Sequence, residues 1–212
     1  MPEVDLESLL APLQVDSPCG VDLEYDPAFR AVEMAGAGKS EQQFGATVIP
    51  AQGPDWAAVL EGAEQLAART RDLRIGVWLV RGGARVRGLA GAVRGLQLLR
   101  GLAERHWEQV HPQLDASDGN DPTARMSALG PLVHPGAGLA DLRAASLTGE
   151  RGSLTLRDLE LAFGRAEPLN GEPVPTREGV LQGLTAVVAE RPALASQAQA
   201  ALEAALALQA VE

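Results

Sequence analysis

Residues 72–110 constrain the fold more than any other part of the chain. The run Asp72-Leu73-Arg74-Ile75-Gly76-Val77-Trp78-Leu79-Val80-Arg81 is apolar almost all round, the pattern of a central helix buried on every side. Periodicity alone leaves a buried strand of that length open, but no β-partner of comparable quality follows, so a helix is expected. From Val86 to Val110 the positions Val86, Leu89, Val93, Leu96, Leu99 and Leu102 step along a second, long helix. Gly88, Gly91, Gly95 and Gly101 interrupt it. Each glycine inside a helix costs about 1 kcal/mol against alanine, so several on one segment point to a neighbouring backbone approaching closely, as at Gly91 and Gly95. Charged residues surround that spacing and exclude a membrane reading of it.

Close packing of this kind needs small side chains. The chain supplies them, with 46% hydrophobic residues but only 3% aromatic, which favours helices packed on helices. A short helix is expected over about residues 4–12, then an acidic, turn-rich segment leading into a helix begun by Asp26-Pro27. A loop carrying Gly36-Ala37-Gly38-Lys39-Ser40 and residues 41–53 follows. Pro54 opens a helix whose apolar face holds Trp56, Val59, Leu60, Ala63, Leu66 and Ala67. Asp121-Pro122 starts another, through about Val133, and a shorter one covers Leu139 to Ala144. Two β-prone flanks around Gly149-Glu150-Arg151-Gly152 predict a small hairpin. Beyond the helix at 156–163, residues 164–175 read as a linker rich in glycine and proline. Thr176 caps a helix to about Glu190, Pro192 breaks it, and an alanine-rich helix runs on. The expected fold is all-α, a multi-helix globular domain of roughly eight to ten helices with at most one short β-hairpin near 145–155. Its expected division is a main helical domain over 1–165 and a carboxy-terminal helical hairpin over 176–212, packing on it or leading to a further region.

The net charge of -10 opposes general attraction to nucleic acid or an anionic membrane surface. Cys19, the one cysteine, permits neither an internal disulfide nor a cysteine zinc site, which fits a reducing compartment. Acidic residues stand where a signal peptide needs positive charge, and no apolar run approaches the ~18 residues of a membrane span. A soluble protein of the bacterial cytoplasm is expected, with no direct membrane insertion and no nucleic-acid partner.

The Gly38-Lys39-Ser40 stretch ends like a phosphate-binding loop, but the position for its first glycine is Glu33, which would repel a phosphate. The preceding residues read as a helical turn, not as the strand that feeds such a loop, so a helix end running into a flexible connector is expected. No G-x-S-x-G nucleophile elbow is present, and Cys19, between proline and glycine, reads as part of a tight turn. His106, His111, Asp115, Asp118, Asn120 and Asp121 form the richest set of potential ligands. A calcium loop counted from Asp115 puts Asn120 where glycine is needed and Met126 where a bidentate glutamate is needed, and His106 and His111 do not share a helical face. Asp121 as a helix cap is the favoured reading; the alternative is a small metal-dependent hydrolase using His106, His111 and the Asp115–Asp121 loop. No cofactor is expected. Arginines crowd residues 69–105, with Arg71 and Arg74 read as internal ties to the acidic segment, and Arg85, Arg87 and Arg94 left as candidates for binding an acidic partner.

Three ordered blocks carry a resemblance: "DSPCGVDLEYDPAF" at 16–29, "EQQFGATVIPAQGPDWAAVLEGAEQLAARTRDLRIGVWL" at 41–79, and "GLAGAVRGLQLLRGLAERHWEQVHPQLDASDGNDPTARMSAL" at 88–129. Together they resemble the ImpA-related amino-terminal domain of the TssA family of type VI secretion components. The matched positions are Cys19, Gly20, Asp22, Leu23, Tyr25 and Asp26; Gln43, Phe44 and Gly45; Asp55 and Trp56; Arg71, Asp72, Leu73 and Arg74; Trp107, His111 and Pro112; and Asp121, Pro122 and Arg125. They look like anchors of one helical fold, with Trp56 and Trp107 as apolar payloads and the aspartates and arginines as polar ties. The resemblance implies a non-enzymatic assembly role, binding baseplate, membrane-complex, sheath or tube components and capping the growing tail. Carboxy-terminal regions form the ring in such proteins, so self-association is compatible with this chain but a large ring is not expected of it. Relatives with the same domain anchor the sheath, and the residues here do not separate the two roles.

Overall fold

The computed structural model describes residues 5–44, 47–148, 150, 153–190 and 192. It is mostly helical and divides into two compact units, Met1–Arg151 and Gly152–Glu212. The first unit holds α1 (Leu6–Leu10), α2 (Pro27–Ala37), β1 (Gln42–Phe44), β2 (Thr47–Ile49), α3 (Trp56–Ala67), α4 (Leu73–His106), a 3-10 turn at Ala116–Asp118, α5 (Thr123–Val133) and α6 (Gly138–Arg143). The second holds α7 (Leu156–Ala162) and α8 (Arg177–Glu190).

Local sequence sets most helix starts. Asp5, Asp26, Asp55 and Asp72 each turn a side-chain oxygen onto a backbone N–H of the first turn of α1, α2, α3 and α4, and Pro27 follows Asp26 at the first helical position. Such a cap contributes about 1 kcal/mol. Thr155 and Asp158 form a reciprocal capping box at α7.

The helix α4 reverses at Gly88, whose φ of 72° and ψ of -156° break the helical path. A Cβ placed on Gly83 would lie 2.6 Å from the carbonyl oxygen of Gly91, and one on Gly91 would lie 2.5 Å from that of Gly83. In a straight helix residues 83 and 91 would stand about 12 Å apart. The two arms therefore run antiparallel in backbone contact, and Gly95 meets Val80 further along the same seam. The Leu89 N–H, freed at the reversal, donates to the Ser146 carbonyl at 2.8 Å. The helices expected at 72–81 and 86–110 are these two arms.

With the two arms of α4 counted as one element, seven helices of six residues or more, plus the five-residue α1, stand among the described residues, against the roughly eight to ten expected. The expected helix beyond Pro192 lies outside the described residues. The strand pair also differs in place. It forms where a loop was expected, with Gln42 opposite Ile49, Gln43 opposite Val48 and Phe44 opposite Thr47. The β-branched run Thr47-Val48-Ile49 suits a strand, and Lys39 and Gln52 extend the pairing with two backbone bonds of 2.8 Å. Near 145–155 no strand forms among the described residues; positions 149, 151 and 152 of that expected turn lie outside them.

In the first unit α2 packs on α3, α3 on α4, and α1, α5 and α6 on α4. Phe29, Val59, Ala63, Leu66, Leu73, Ile75, Val80, Leu102 and Val110 are essentially sealed from solvent. Phe29 and Trp78 form an aromatic pair, edge to face at 4.7 Å. Trp107 is 37% exposed and Trp56 is partly buried at the edge of the core, so each presents a ring face to an arginine. In the second unit Arg157 pairs with Glu172, and the Arg177 guanidinium lies 4.8 Å from the Phe163 ring centre.

Candidate interaction site

Three segments distant in sequence are stitched together at one end of the α4 hairpin. They are the acidic loop at 16–26, the α3–α4 turn at 68–72, and the stretch after α4 that ends at Pro112. Arg71 N–H donates to the Cys19 carbonyl at 2.8 Å, His111 N–H to the Arg71 carbonyl at 3.0 Å, and Leu73 N–H to the His111 carbonyl at 2.9 Å. The Thr70 hydroxyl donates to the Val21 carbonyl at 2.8 Å. Backbone pairing of this kind fixes the loops as rigidly as a small sheet would.

Two buried arginines close the ends of three helices. Arg71 donates to the Ser8 and Ala11 carbonyls at the end of α1 and to the Ala67 carbonyl at the end of α3. Arg125, wholly buried, donates to the Trp107, Val110 and Pro112 carbonyls just beyond α4. Helix C-termini leave carbonyls without partners and carry partial negative charge, so a guanidinium there satisfies both. Burial pulls the pKa of both arginines below the ordinary value. His106 Nε2 also meets the Leu10 carbonyl, at 2.8 Å.

Arg74 stands among three carboxylates. It donates to Asp72 at 2.7 Å, to Glu24 at 2.8 Å and to Asp22 at 2.8 Å, and its carbon lies 4.8 Å from the Phe29 ring centre. Burial alone would lower its pKa, but the bonds to Asp72 and Glu24 and the field of Asp22 outweigh that and raise it. His111 sets one ring nitrogen, Nε2, 3.1 Å from the Gly20 carbonyl, so that nitrogen carries the proton; Nδ1 faces Asp22 at 3.8 Å. Asp26 caps α2 and meets Arg69, which, with the Ala28 N–H, holds its carboxyl below the usual range. Burial pushes the Cys19 thiol up, which disfavours the thiolate a nucleophile needs.

The remaining signature positions lie apart from this knot. Tyr25 is exposed beside Arg30, Gln43 sits on the exposed ribbon, and Gly45 lies outside the described residues. Asp55 caps α3, and Asp121 accepts from the Thr123 N–H at 2.6 Å. Arg81 lies over Trp56 and bonds Asp141. Of the candidate partner-binding arginines, Arg87 grips Glu64 with two bonds, Arg85 reaches Asp141 at 3.8 Å with its side chain 37% exposed, and Arg94 is half-buried on the α4 hairpin.

The ligand-rich stretch does not converge. His106 and His111 point to separate carbonyls, Asp115 accepts from Ser117, and Asp121 accepts from the Thr123 N–H at the start of α5; among the described residues no group of three or more His, Cys, Asp or Glu could hold a metal ion. Lys39 uses its backbone N–H and carbonyl in the ribbon, so that part of the Gly38-Lys39-Ser40 loop has no free amide to offer a phosphate.

Beside the knot, a cleft of about 430 Å³ opens between the acidic loop, α2, the first arm of α4 and α5. Trp78 and Val77 line it together with Pro112 and Pro131, and Glu24 and Glu33 stand at its lip. Sequence reasoning missed it, since no motif joins these positions.

Residues 10–134 match the family described as "ImpA, N-terminal, type VI secretion system". The type VI secretion system component TssA1 of Pseudomonas aeruginosa is 45% identical over 130 residues, 61% of this chain. The chain thus spans 38% of that relative's length. A solved structure of the N-terminal domain, including the conserved ImpA_N region, of the TssA component from Burkholderia cenocepacia is similar over 96% of this chain and 82% of its own. The TM-score is 0.63 and the identity 25%.

Proposed function

The chain belongs to the ImpA amino-terminal family of type VI secretion systems, and from that premise we propose that it is a non-enzymatic assembly and interaction module of such an apparatus. In this reading it binds baseplate, membrane-complex, or sheath and tube components while the contractile tail is built, in the bacterial cytoplasm. One observation carries it: the family match over 10–134 spans the stitched knot together with α2, α3, α4 and α5, the scaffold that holds it. Among the described residues no helix is long and apolar enough to cross a membrane. Arginines that cap helices and carboxylates locked onto arginines suit a rigid scaffold, since these charged groups are already engaged.

The test is a pull-down of the folded chain against the separately expressed tube, sheath, baseplate and membrane-complex proteins of its own secretion cluster, at low and high salt. Capture of a defined component supports the reading, and loss of capture at high salt marks the contact as electrostatic. Capture of none of them overturns it for this chain. The arginine face is the first candidate for an acidic component, and Arg85→Glu is its informative variant, because Arg87 already holds Glu64.

A further inference from the structure

We propose that the cleft beside the knot is a docking groove for a linear segment of another protein that bears a positive charge next to an apolar residue. The inference rests on the interaction-module reading and assigns it a surface and a partner chemistry.

Charge argues first. Arg74 is the one cation among the residues lining the cleft, and it is held by Asp22, Glu24 and Asp72 together. Three carboxylates around one guanidinium leave an excess of two negative charges at that end. Glu33, also on the lining, pairs with Arg30 in a contact open to water on both sides. The chain as a whole carries -10, the same sign as this end of the cleft. An acidic segment would be repelled; an arginine or lysine entering between Glu24 and Glu33 would be drawn in. A carboxylate accepts several hydrogen bonds, so Glu24 can receive a second donor while keeping Arg74.

Shape argues second. The volume lies within the range of known binding clefts, roughly 300–1,000 Å³, and the cleft opens to solvent. Trp78 forms part of its lining, with its ring steadied from within by Phe29. An indole face held in place is a preorganised platform for a cationic head or its methylene stem. Pro112 and Pro131 supply rigid apolar walls at little entropic cost on binding. The one charge on α5, Arg125, is buried and already engaged by the Trp107, Val110 and Pro112 carbonyls. By contrast, the cavity between α1, α3 and α4 measures about 30 Å³, room for little more than one water.

The test is selection of random displayed peptides on the immobilised full chain, followed by affinity measurement of the enriched sequences as synthetic peptides. The expected sequences place arginine or lysine beside an aliphatic residue or proline. Their affinity should fall about fivefold with Glu24→Lys and with Glu33→Lys, and more steeply with rising salt in the parent. Ser127→Trp, which fills the cleft from the exposed side of α5, should abolish binding; Ala124→Trp provides the same block should the first variant fail to fold. Glu61→Lys, on the exposed face of α3, should leave affinity unchanged. Enrichment of no peptide, enrichment of acidic peptides, or binding indifferent to both tryptophan variants would overturn the groove. No secretion component enters this experiment, so the groove can fail while the pull-down succeeds, and the reverse.

Discussion

Arg125 lies over the indole of Trp107, its guanidinium carbon 4.5 Å from the ring centre, while it donates to the carbonyl of that same Trp107. One side chain thus closes the end of α4 and covers the only large ring there. Lysine cannot reproduce the planar fork that reaches three carbonyls. Arg125→Lys is expected to cost about 2–4 kcal/mol, as buried acceptors lose a charged donor. Urea unfolding measures it, and a loss below about 1 kcal/mol would show that the carbonyls find other partners.

The seam of the α4 hairpin makes a prediction opposite to helix propensity. Gly83→Ala should stabilise an isolated helix by about 1 kcal/mol. Here the added methyl meets the backbone of Gly91, so the variant is expected to destabilise by about 1–3 kcal/mol. A higher melting temperature for the variant would refute the contact.

Glu172 ties together the loop that links α7 to α8. Bonds from Arg157, then from the Leu169 N–H, lower its pKa to about 2 from an ordinary 4.5. A depressed acid stabilises the fold above its unfolded pKa, and that contribution disappears as pH falls through the folded value. The loop contact should therefore persist at pH 5 and be lost between about pH 4.5 and 2. Titration of the Glu172 carboxyl by NMR would show it, and Arg157→Ala should move the midpoint back up. A midpoint near 4.5 in the parent would contradict the pairing.

The phosphate-loop likeness also has a direct test. A ligand at a hundred times its dissociation constant stabilises by about 2.7 kcal/mol, which a melting curve detects easily. Millimolar ATP with magnesium is expected to leave the melting temperature of the parent and of Lys39→Ala the same. A shift present in the parent and absent in the variant would restore the nucleotide reading.

The candidate site was legible in pieces. Arg71, Asp72, Arg74 and Arg125 were all singled out from the chain; Arg74 bonds Asp22, Glu24 and Asp72, whereas the Arg71 side chain meets the Ser8, Ala11 and Ala67 carbonyls rather than the acidic segment. That Arg71 and Arg125 cap helix ends was not legible, because the carbonyls they serve lie at Ser8, Ala11 and Trp107, set by how helices meet. The same limit hid the cleft, whose walls come from 24–33, 74–78, 112 and 124–131.

Local chemistry determined what lies close along the chain. Aspartate or threonine before an apolar period starts α1, α2, α3, α4 and α7, since a cap and its N–H are three residues apart or fewer whatever else the chain does. The glycines of 88–95 announced a close backbone, but not which one. Only the folded chain decided that the backbone belongs to the opposite arm of the same element, reversed at Gly88. It decided likewise that the strand pair forms at 42–49, and that Trp78, partly buried, packs edge to face on core Phe29 while Trp107 lies under Arg125. The physical reason is range: caps and turns are settled by neighbours within one helical turn, whereas burial and helix pairing depend on the competition of many distant surfaces for one core.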